Sequence, residues 1–84
     1  MGETVLVANR GEIACRVIRA CHALGLQAVA VYGPGEQDAL HVTLADAAYR
    51  LPTDAPVPYL DIPALMMVAQ RAGVTLLQIG RAHV

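Results

Sequence analysis

The chain has 84 residues, of which 56% are hydrophobic and 15% are charged, and its formal net charge is −1. So large an apolar fraction excludes a disordered chain, and the near-neutral balance without a basic run argues against binding to nucleic acid or anionic membranes. No apolar run approaches the roughly 20 residues that cross a bilayer, so the composition favours one small globular domain.

The first predicted elements are a buried strand and a helix. Residues 4–8 form an apolar, β-branched run without alternation, which is typical of a strand covered on both faces. Asn9 and Glu12 have the spacing of a capping box, which predicts a helix from Gly11 to Leu24. The apolar residues at helical spacing, which we expect to face the core, are Ile13, Val17, Ala20, Cys21 and Leu24.

Strands and helices alternate along the rest of the chain. Further strands are predicted over residues 27–32, 47–51 and 74–77, and further helices over 38–44 and 61–72. Prolines 52, 56 and 58 predict a loop, and Asp61 is a plausible N-cap. This alternation implies right-handed crossovers and a Rossmann-like parallel sheet with flanking helices. The helical residues expected to face the core are Leu40, Leu44, Leu65, Met66, Val68 and Ala69.

The cysteines and the start of the chain predict a compartment. Cys15 and Cys21 lie on the same predicted helix and point about 240° apart around it, so we expect both to be reduced. The opening Met-Gly-Glu-Thr lacks the basic and apolar regions of a signal peptide. Both features favour a cytoplasmic protein.

The turn over residues 9–12 is the first candidate site, because a helix N-terminus after a buried strand can bind an anion. The dinucleotide fingerprint needs three glycines, however, and this turn has only Gly11. The chain has no lysine for a Walker motif, and Glu12 places negative charge where a phosphate would sit. These residues favour a structural turn over a phosphate site.

The other candidates are weaker. Asp38 and His41 could form a carboxylate–imidazole pair one helical turn apart. Arg16 and Arg19 lie on the polar side of the first helix, as a solvated surface or as an interface. Met66 and Met67 fit a core, and capping or turn roles suit Asp46, Asp54 and Asp61. The residues alone define no catalytic or metal-binding constellation.

Several sequence blocks resemble the opening of biotin carboxylase. The most specific block is Ala-Asn-Arg-Gly-Glu-Ile-Ala at residues 8–14, followed by Arg-Val-Ile-Arg at 16–19. Later blocks are Ala-Val-Ala-Val-Tyr at 28–32, Asp-Ala-Leu-His-Val at 38–42 and Tyr-Leu-Asp-Ile at 59–62. They occur in the family's order and at its spacing. The family includes the free subunit of acetyl-CoA carboxylase and domains of propionyl-CoA, methylcrotonyl-CoA, pyruvate and urea carboxylases.

The resemblance implies a parent enzyme that carboxylates biotin on a carrier protein. It would use ATP, Mg²⁺ or Mn²⁺, and bicarbonate, through carboxyphosphate, on an ATP-grasp fold. This chain would be the pre-ATP-grasp N-terminal lobe. The ligands of nucleotide, metal and bicarbonate would lie in later parts of the enzyme, so we expect no catalytic, cofactor-binding or metal-binding residue here. The expected partners are the remainder of the carboxylase, the biotin carboxyl carrier and the carboxyltransferase component, which chooses the acceptor.

The resemblance also assigns roles to individual residues. The family's signature turn corresponds to Asn9, Arg10, Gly11 and Glu12. The first helix contributes to a homodimer contact in the bacterial free subunit, which would place Arg16 and Arg19 at that interface. Ala23 stands where the family often has an acidic residue, a departure that points to a multidomain relative.

The last residues depart from the family. Its fourth strand runs into His-Pro-Gly-Tyr-Gly, whereas here Leu77 is followed by Gln-Ile-Gly-Arg-Ala-His-Val. One reading frame of a common short-read sequencing adapter encodes Ile-Gly-Arg-Ala-His-Val and a stop. We therefore expect residues 1–77 to be an incomplete N-terminal domain, truncated after about four strands, and residues 78–84 to be a non-native tail. Such a fragment should be inactive by itself.

Two alternatives remain open beside the enzyme fragment. One is a genuine small binding or dimerisation module built on the same lobe, against which the adapter-like tail argues. The other is the start of a different ATP-grasp ligase, because relatives of carbamoyl-phosphate synthetase and D-alanine ligase open with a similar lobe. The Asn-Arg-Gly-Glu-Ile-Ala block argues against that ligase.

Overall fold

The computed structural model of the chain describes residues 3–53 and 61–79. Residues 54–60, with most of the proline-rich loop, and residues 80–84 of the expected tail lie outside the described part. No helix within the described part is long and apolar enough to cross a membrane. In chain order the elements are β1 (Thr4–Ala8), α1 (Gly11–Ala23), β2 (Gln27–Tyr32), α2 (Leu40–Leu44), β3 (Ala47–Arg50), α3 (Ile62–Ala72) and β4 (Leu76–Ile79).

The strands form one parallel sheet with the order β3-β2-β1-β4, which confirms the predicted Rossmann-like architecture. The central strand is β1, whose Leu6 lies opposite Val29 of β2 and Leu77 of β4. Strand β4 begins two residues later than predicted and includes Gln78, which pairs with Val7. The boundary expected after Leu77 therefore falls inside a strand.

A helix covers each face of the sheet. Successive side chains of a strand point to opposite faces, so the central strands contribute to a core on each side. One core lies between the sheet and α3, and the other lies between the sheet and α1. The buried residues of the α3 core are Leu6, Ala8, Val29, Val31, Leu51, Ala64, Leu65 and Val68. Those of the α1 core are Val5, Val7, Ala14, Ile18, Cys21 and Ala28. Burial on both faces explains the unbroken apolar runs of β1 and β2.

The buried face of α1 differs from the predicted one. Ile13 and Leu24 are 58% and 76% exposed, and the exposed Ala20 lies on the same side. The face that packs on the sheet carries Ala14 and Ile18 instead. Residues 14, 18 and 21 repeat at the same helical spacing as residues 13, 17, 20 and 24, so spacing alone does not distinguish the two faces. The small side chains of Ala14 and Cys21 allow α1 to pack closely on the sheet. The predicted stripe was therefore confirmed at Cys21, which is buried, and at Val17, which packs partly buried against the α1 core, and was wrong at Ile13, Ala20 and Leu24.

The shorter apolar stripes are confirmed at most positions and corrected at the others. The confirmed residues, which are buried or pack against a core, are Leu44, Leu65, Val68 and Ala69. Helix α2 begins at Leu40, which is 58% exposed, whereas its neighbour His41 is buried. In α3, Leu65 is buried as expected, but Met66 and Met67 are about half exposed, at 49% and 51%. The four-residue spacings 64–68 and 65–69 align the residues that face the sheet, and this periodicity turns both methionines outward.

The end of α1 and the start of α3 follow local chemistry that the sequence predicts. Gly25 has φ of 77°, and the amide of Leu26 donates to the Cys21 carbonyl at 2.8 Å, which closes α1 in a Schellman motif. At the start of α3, the Asp61 carboxylate accepts hydrogen bonds from the Thr53 hydroxyl and, at 3.1 Å, from the Ala64 amide. These bonds hold the pKa of the Asp61 carboxyl below its ordinary value.

Candidate functional site

The signature turn connects the carboxyl end of β1 to α1, but it does not form the predicted capping box. The N-cap of α1 is Arg10, and no side chain caps the first turn. The side-chain Nδ2 of Asn9 instead donates to Oε1 of Gln78 at 3.3 Å, across the junction of β1 and β4. Glu12 forms an i,i+4 ion pair with Arg16, whose Nε lies 3.9 Å from its Oε2. Asn9 thus has a partner other than the expected one, whereas the pairing of Glu12 with Arg16 has the i,i+4 spacing that the sequence shows.

A cavity of about 430 Å³ lies beside this turn, between α1 and the segment that leads from β2 into α2. It lies at the carboxyl ends of parallel strands, where open α/β sheets commonly bind ligands. The α1 residues Gly11, Glu12, Cys15 and Arg19 form one wall. The opposite wall includes Glu36, Ala39, Leu40 and His41, and Arg10 lies at the edge.

The carboxylates near this cavity are compensated by neighbouring groups. Glu36 accepts a hydrogen bond from the Gly33 amide at 2.9 Å, and its other oxygen lies 3.3 Å from Nη1 of Arg10. Glu12 pairs with Arg16. Arg19 has no ion-pair partner within residues 3–53 and 61–79. The cavity lining therefore contains both carboxylates and guanidinium groups.

The described residues do not supply an evident reaction centre. Within residues 3–53 and 61–79, no group of three or more His, Cys, Asp or Glu side chains could hold a metal ion. Cys15 and Cys21 are both free and buried, in agreement with the expected reduced state. Burial, followed by the charge of Asp46, raises the pKa of the Cys21 thiol, which disfavours a reactive thiolate.

His41 is the residue that the sequence analysis misjudged most. It does not pair with the exposed Asp38; instead its Nε2 lies 3.0 Å from the Val31 carbonyl oxygen, and only 2% of the residue is exposed. Its Nδ1 has no hydrogen-bond partner among the described residues. Helix α2 has only five residues, which is too short to show a helical pattern of apolar residues. The sequence therefore did not indicate that position 41, rather than position 40, faces inward.

A second polar cluster links the end of α1 to β2 and β3. Oδ2 of Asp46 lies 2.9 Å from Nε2 of His22 and accepts a hydrogen bond from the Ala28 amide at 2.7 Å. The Asp46 amide donates in return to the Ala28 carbonyl at 2.8 Å. The hydrogen bond from the Ala28 amide, and after it the hydrogen bond with His22, lower the pKa of the Asp46 carboxyl below its ordinary value of 3.8. Asp46 thus fixes α1 against the sheet edge.

Replacing Asp46 by asparagine should lower the free energy of unfolding by about 1 kcal/mol at pH 7, a small value because the pair is partly solvated. A carboxyl group whose pKa is lower in the folded state than in the unfolded state stabilises the fold at pH values above its unfolded-state pKa. The difference between wild type and Asp46→Asn should therefore shrink as the pH falls through 3.8 toward the lowered pKa. Urea denaturation at several pH values measures it, with Asp38→Asn as the exposed control. A difference that grows on acidification would contradict the assignment.

The fold and the turn together define a Rossmann-like lobe: a four-stranded parallel sheet, a helix on each face, and an uncapped helix N-terminus at its carboxyl edge. The family model described as biotin carboxylase, N-terminal domain, matches residues 1–84. The chain belongs to this family, as the sequence blocks predicted.

Individual relatives agree with this membership. The mitochondrial methylcrotonoyl-CoA carboxylase subunit alpha of Arabidopsis thaliana is 47% identical over 79 residues, which are 93% of this chain and 11% of that protein. The biotin carboxylase of Pseudomonas aeruginosa is 43% identical over 81 residues, which are 95% of this chain and 18% of that protein. The chain therefore spans less than a fifth of the length of these relatives.

Solved structures show the same lobe. The biotin carboxylase domain of a single-chain bacterial carboxylase superposes with a TM-score of 0.88 at 46% identity, covering 95% of this chain and 19% of that one. The biotin carboxylase domain of Hydrogenobacter thermophilus 2-oxoglutarate carboxylase, described as a dimer in complex with MgADP, ADP and bicarbonate, gives 0.87 at 45% identity. That alignment covers 98% of this chain and 18% of the other.

Proposed function

We propose that this chain acts as the N-terminal lobe of an enzyme that carboxylates carrier-bound biotin with ATP and bicarbonate. The observation that supports the proposal is that relatives named for different substrates match this chain equally well. Relatives named for methylcrotonoyl-CoA, 2-oxoglutarate and pyruvate are 47%, 46% and 46% identical to this chain. Carboxylases named for different acceptors thus share the lobe equally, so the lobe serves the step common to all of them and leaves the acceptor to other components.

In this function the lobe supplies a scaffold. Neither a nucleotide nor a metal ion fits the described residues as a ligand set, because the signature turn has one glycine and no metal-binding cluster occurs in residues 3–53 and 61–79. ATP, Mg²⁺ or Mn²⁺, bicarbonate and the biotinyl carrier would therefore be bound by other parts of the enzyme. The cores on both faces of the sheet give those parts a rigid base. The unpaired cysteines support action in the reducing cytoplasm.

A chimera tests the proposal. In it, the aligned segment of this chain replaces its counterpart in the Pseudomonas aeruginosa biotin carboxylase. With free biotin as substrate, we expect bicarbonate-dependent ATP hydrolysis to be retained, because the lobe has the same fold and the catalytic groups belong to the host. The unmodified host enzyme is the control. A folded chimera that binds ATP yet shows no turnover would contradict the proposal.

A homodimer contact through α1 is a second part of the proposal. Arg16 and Arg19 lie on the exposed side of α1, and the Arg16 side chain is 75% exposed. Exposed arginines that make few contacts within their own chain are suited to an interface, where the guanidinium group binds carboxylates. The dimeric biotin carboxylase domain among the relatives supports this role.

Charge reversal tests this contact. Arg16→Glu in the chimera should raise the dimer dissociation constant about tenfold or more, because it places like charges across the contact. Arg71→Glu on α3 carries the same charge change on the other side of the sheet and should leave dimerisation unchanged. Sedimentation velocity over a concentration series measures both. Equal effects of the two substitutions would remove α1 from the interface.

A further inference from the structure

Strand β3 and helix α3 share a surface that combines apolar and cationic side chains. Tyr49 and Arg50 of β3 line a small cavity of about 80 Å³ together with Met67 and Arg71 of α3. Met67 is half exposed although its side chain is large and apolar, and both arginines are exposed. We call these four residues the α3–β3 patch. The cavity is far smaller than the sites that hold small-molecule cofactors, and it has room for the side chain of a bound protein segment.

The positive charge of the α3–β3 patch is not compensated. Neither Arg50 nor Arg71 has an ion-pair partner within residues 3–53 and 61–79. The described residues that line the small cavity include no Asp or Glu. Because the whole chain has a net charge of −1, this positive charge is a local property of the patch. A guanidinium group binds carboxylates with charge-assisted hydrogen bonds, so an acidic partner would be complementary to the patch.

The residue types of the patch are those that protein interfaces favour. Tyr, Met and Arg are enriched in interfaces, and Tyr and Arg are frequent among the residues that contribute most binding energy. The flexible Met67 side chain can adapt to the shape of a partner. Ile62 and Met66, one helical turn apart on α3, are also about half exposed, and they extend the apolar surface along the helix.

Two other occupants fit the patch less well. In a twofold contact with a second copy of this chain, the patch would face itself, and its arginines would repel each other. A permanently buried interface resembles the core of a domain and is depleted of charged residues, whereas half of the patch residues are arginines. The combination of charge and half-exposed apolar surface therefore favours a separate partner that binds and dissociates.

We propose that the α3–β3 patch binds an acidic segment of a separate partner protein, in which an apolar side chain lies next to carboxylates. The apolar side chain enters the small cavity between Tyr49 and Met67, and the neighbouring carboxylates pair with Arg50 and Arg71. The proposal does not depend on the carboxylase function, because every residue it uses belongs to this chain.

A peptide titration of the ¹⁵N-labelled 84-residue chain tests the proposal. The probe is acetyl-Glu-Leu-Glu-Leu-Glu-amide, and in the matched control peptide glutamine replaces each glutamate. We expect the acidic peptide to cause saturable shifts of the amide resonances of Tyr49, Arg50, Met67 and Arg71 at low ionic strength. The glutamine peptide should bind about tenfold more weakly, because it lacks the carboxylates. The absence of saturable shifts at these residues, or equal binding of the two peptides, would overturn the proposal.

Substitutions locate the binding surface. Arg71→Gln changes an exposed side chain, so it should fold normally and weaken binding of the acidic peptide severalfold. Arg19→Gln is the matched control, because it removes the same charge from an exposed arginine of α1, on the other side of the sheet, and it should leave binding unchanged. Equal effects of the two substitutions would mean that the peptide responds only to net charge, which overturns the proposal.

The two other occupants give different results. If the remainder of a carboxylase covers the patch, the peptide should bind the isolated chain but not the chimera described above. If a second copy covers it, the isolated chain should self-associate in sedimentation velocity, and Arg71→Gln should alter that association. Either result would overturn the proposal of a separate acidic partner, whereas peptide binding to both proteins without such self-association supports it.

Discussion

Replacing Leu65 by alanine should lower the free energy of unfolding by about 3 kcal/mol, because it opens a cavity in the α3 core. Leu65 is fully buried against the sheet, beside Leu6 and Val31. A small domain has only about 5–15 kcal/mol of stability in total, so this loss removes a substantial part of it. Urea denaturation followed by far-ultraviolet circular dichroism measures the change.

The neighbouring residue provides the matched control. Met66 is 49% exposed, so Met66→Ala should cost at most about 0.5 kcal/mol. The two substitutions remove side chains of similar volume from adjacent positions of one helix, and only the direction of the side chain differs. Equal destabilisation by the two would mean that α3 is rotated relative to the structure described above.

Replacing Ile18 by alanine should have a similarly large effect, about 3 kcal/mol, on the other side of the sheet. Ile18 is fully buried between α1 and the strands, whereas Ile13, on the same helix, is 58% exposed. Ile13→Ala is therefore the control, and we expect it to cost at most about 0.5 kcal/mol. Thermal denaturation measures both; a larger shift for Ile13→Ala would restore the stripe predicted from the sequence.

The two large effects should also be independent. Ile18 and Leu65 belong to different cores on opposite faces of the sheet, and neither residue packs in the core of the other. Substitutions without shared partners add. In a host that keeps the double variant folded, such as the chimera, the loss should equal the sum of the single losses, and a markedly smaller loss would indicate one fluid core.

The sequence was sufficient to predict the architecture. The apolar runs of β1 and β2 indicate strands covered on both faces, and their alternation with helices implies the parallel sheet that the structure has. Local chemistry fixes the helix ends in the same way, because Asp61 and Gly25 act through bonds within a few residues. Such short-range signals need no knowledge of the tertiary packing.

The helix faces could not be predicted as well, because competing stripes have the same period. In α1, both Ile13 and Ile18 fall on regular apolar stripes, and only close packing against the sheet selects Ile18. In α3, the methionines gave an apolar pattern that is about 360° wide, so hydrophobicity alone did not select a face. Helix α2 is too short for a period to be read, which concealed the burial of His41.

The polar sites depend on contacts between residues distant in sequence. Asn9 was predicted to cap α1, but in the structure it bonds to Gln78 on a neighbouring strand. His22 and Asp46 are separated by 24 positions and meet only because α1 and β3 approach the same edge of β2. The turn itself was correctly located from its sequence, whereas the cavity beside it requires the position of α2.

The most direct test of the proposed function measures phosphate release from MgATP, with bicarbonate and free biotin, for the isolated 84-residue chain and the chimera side by side. In the proposed function the catalytic groups belong to other parts of the enzyme, so the lobe should depend on its host for catalysis. We predict bicarbonate-dependent turnover by the chimera and none by the isolated chain. Turnover by the isolated chain, or an inactive but folded chimera, would contradict the role of the chain as a scaffold lobe of a biotin carboxylase.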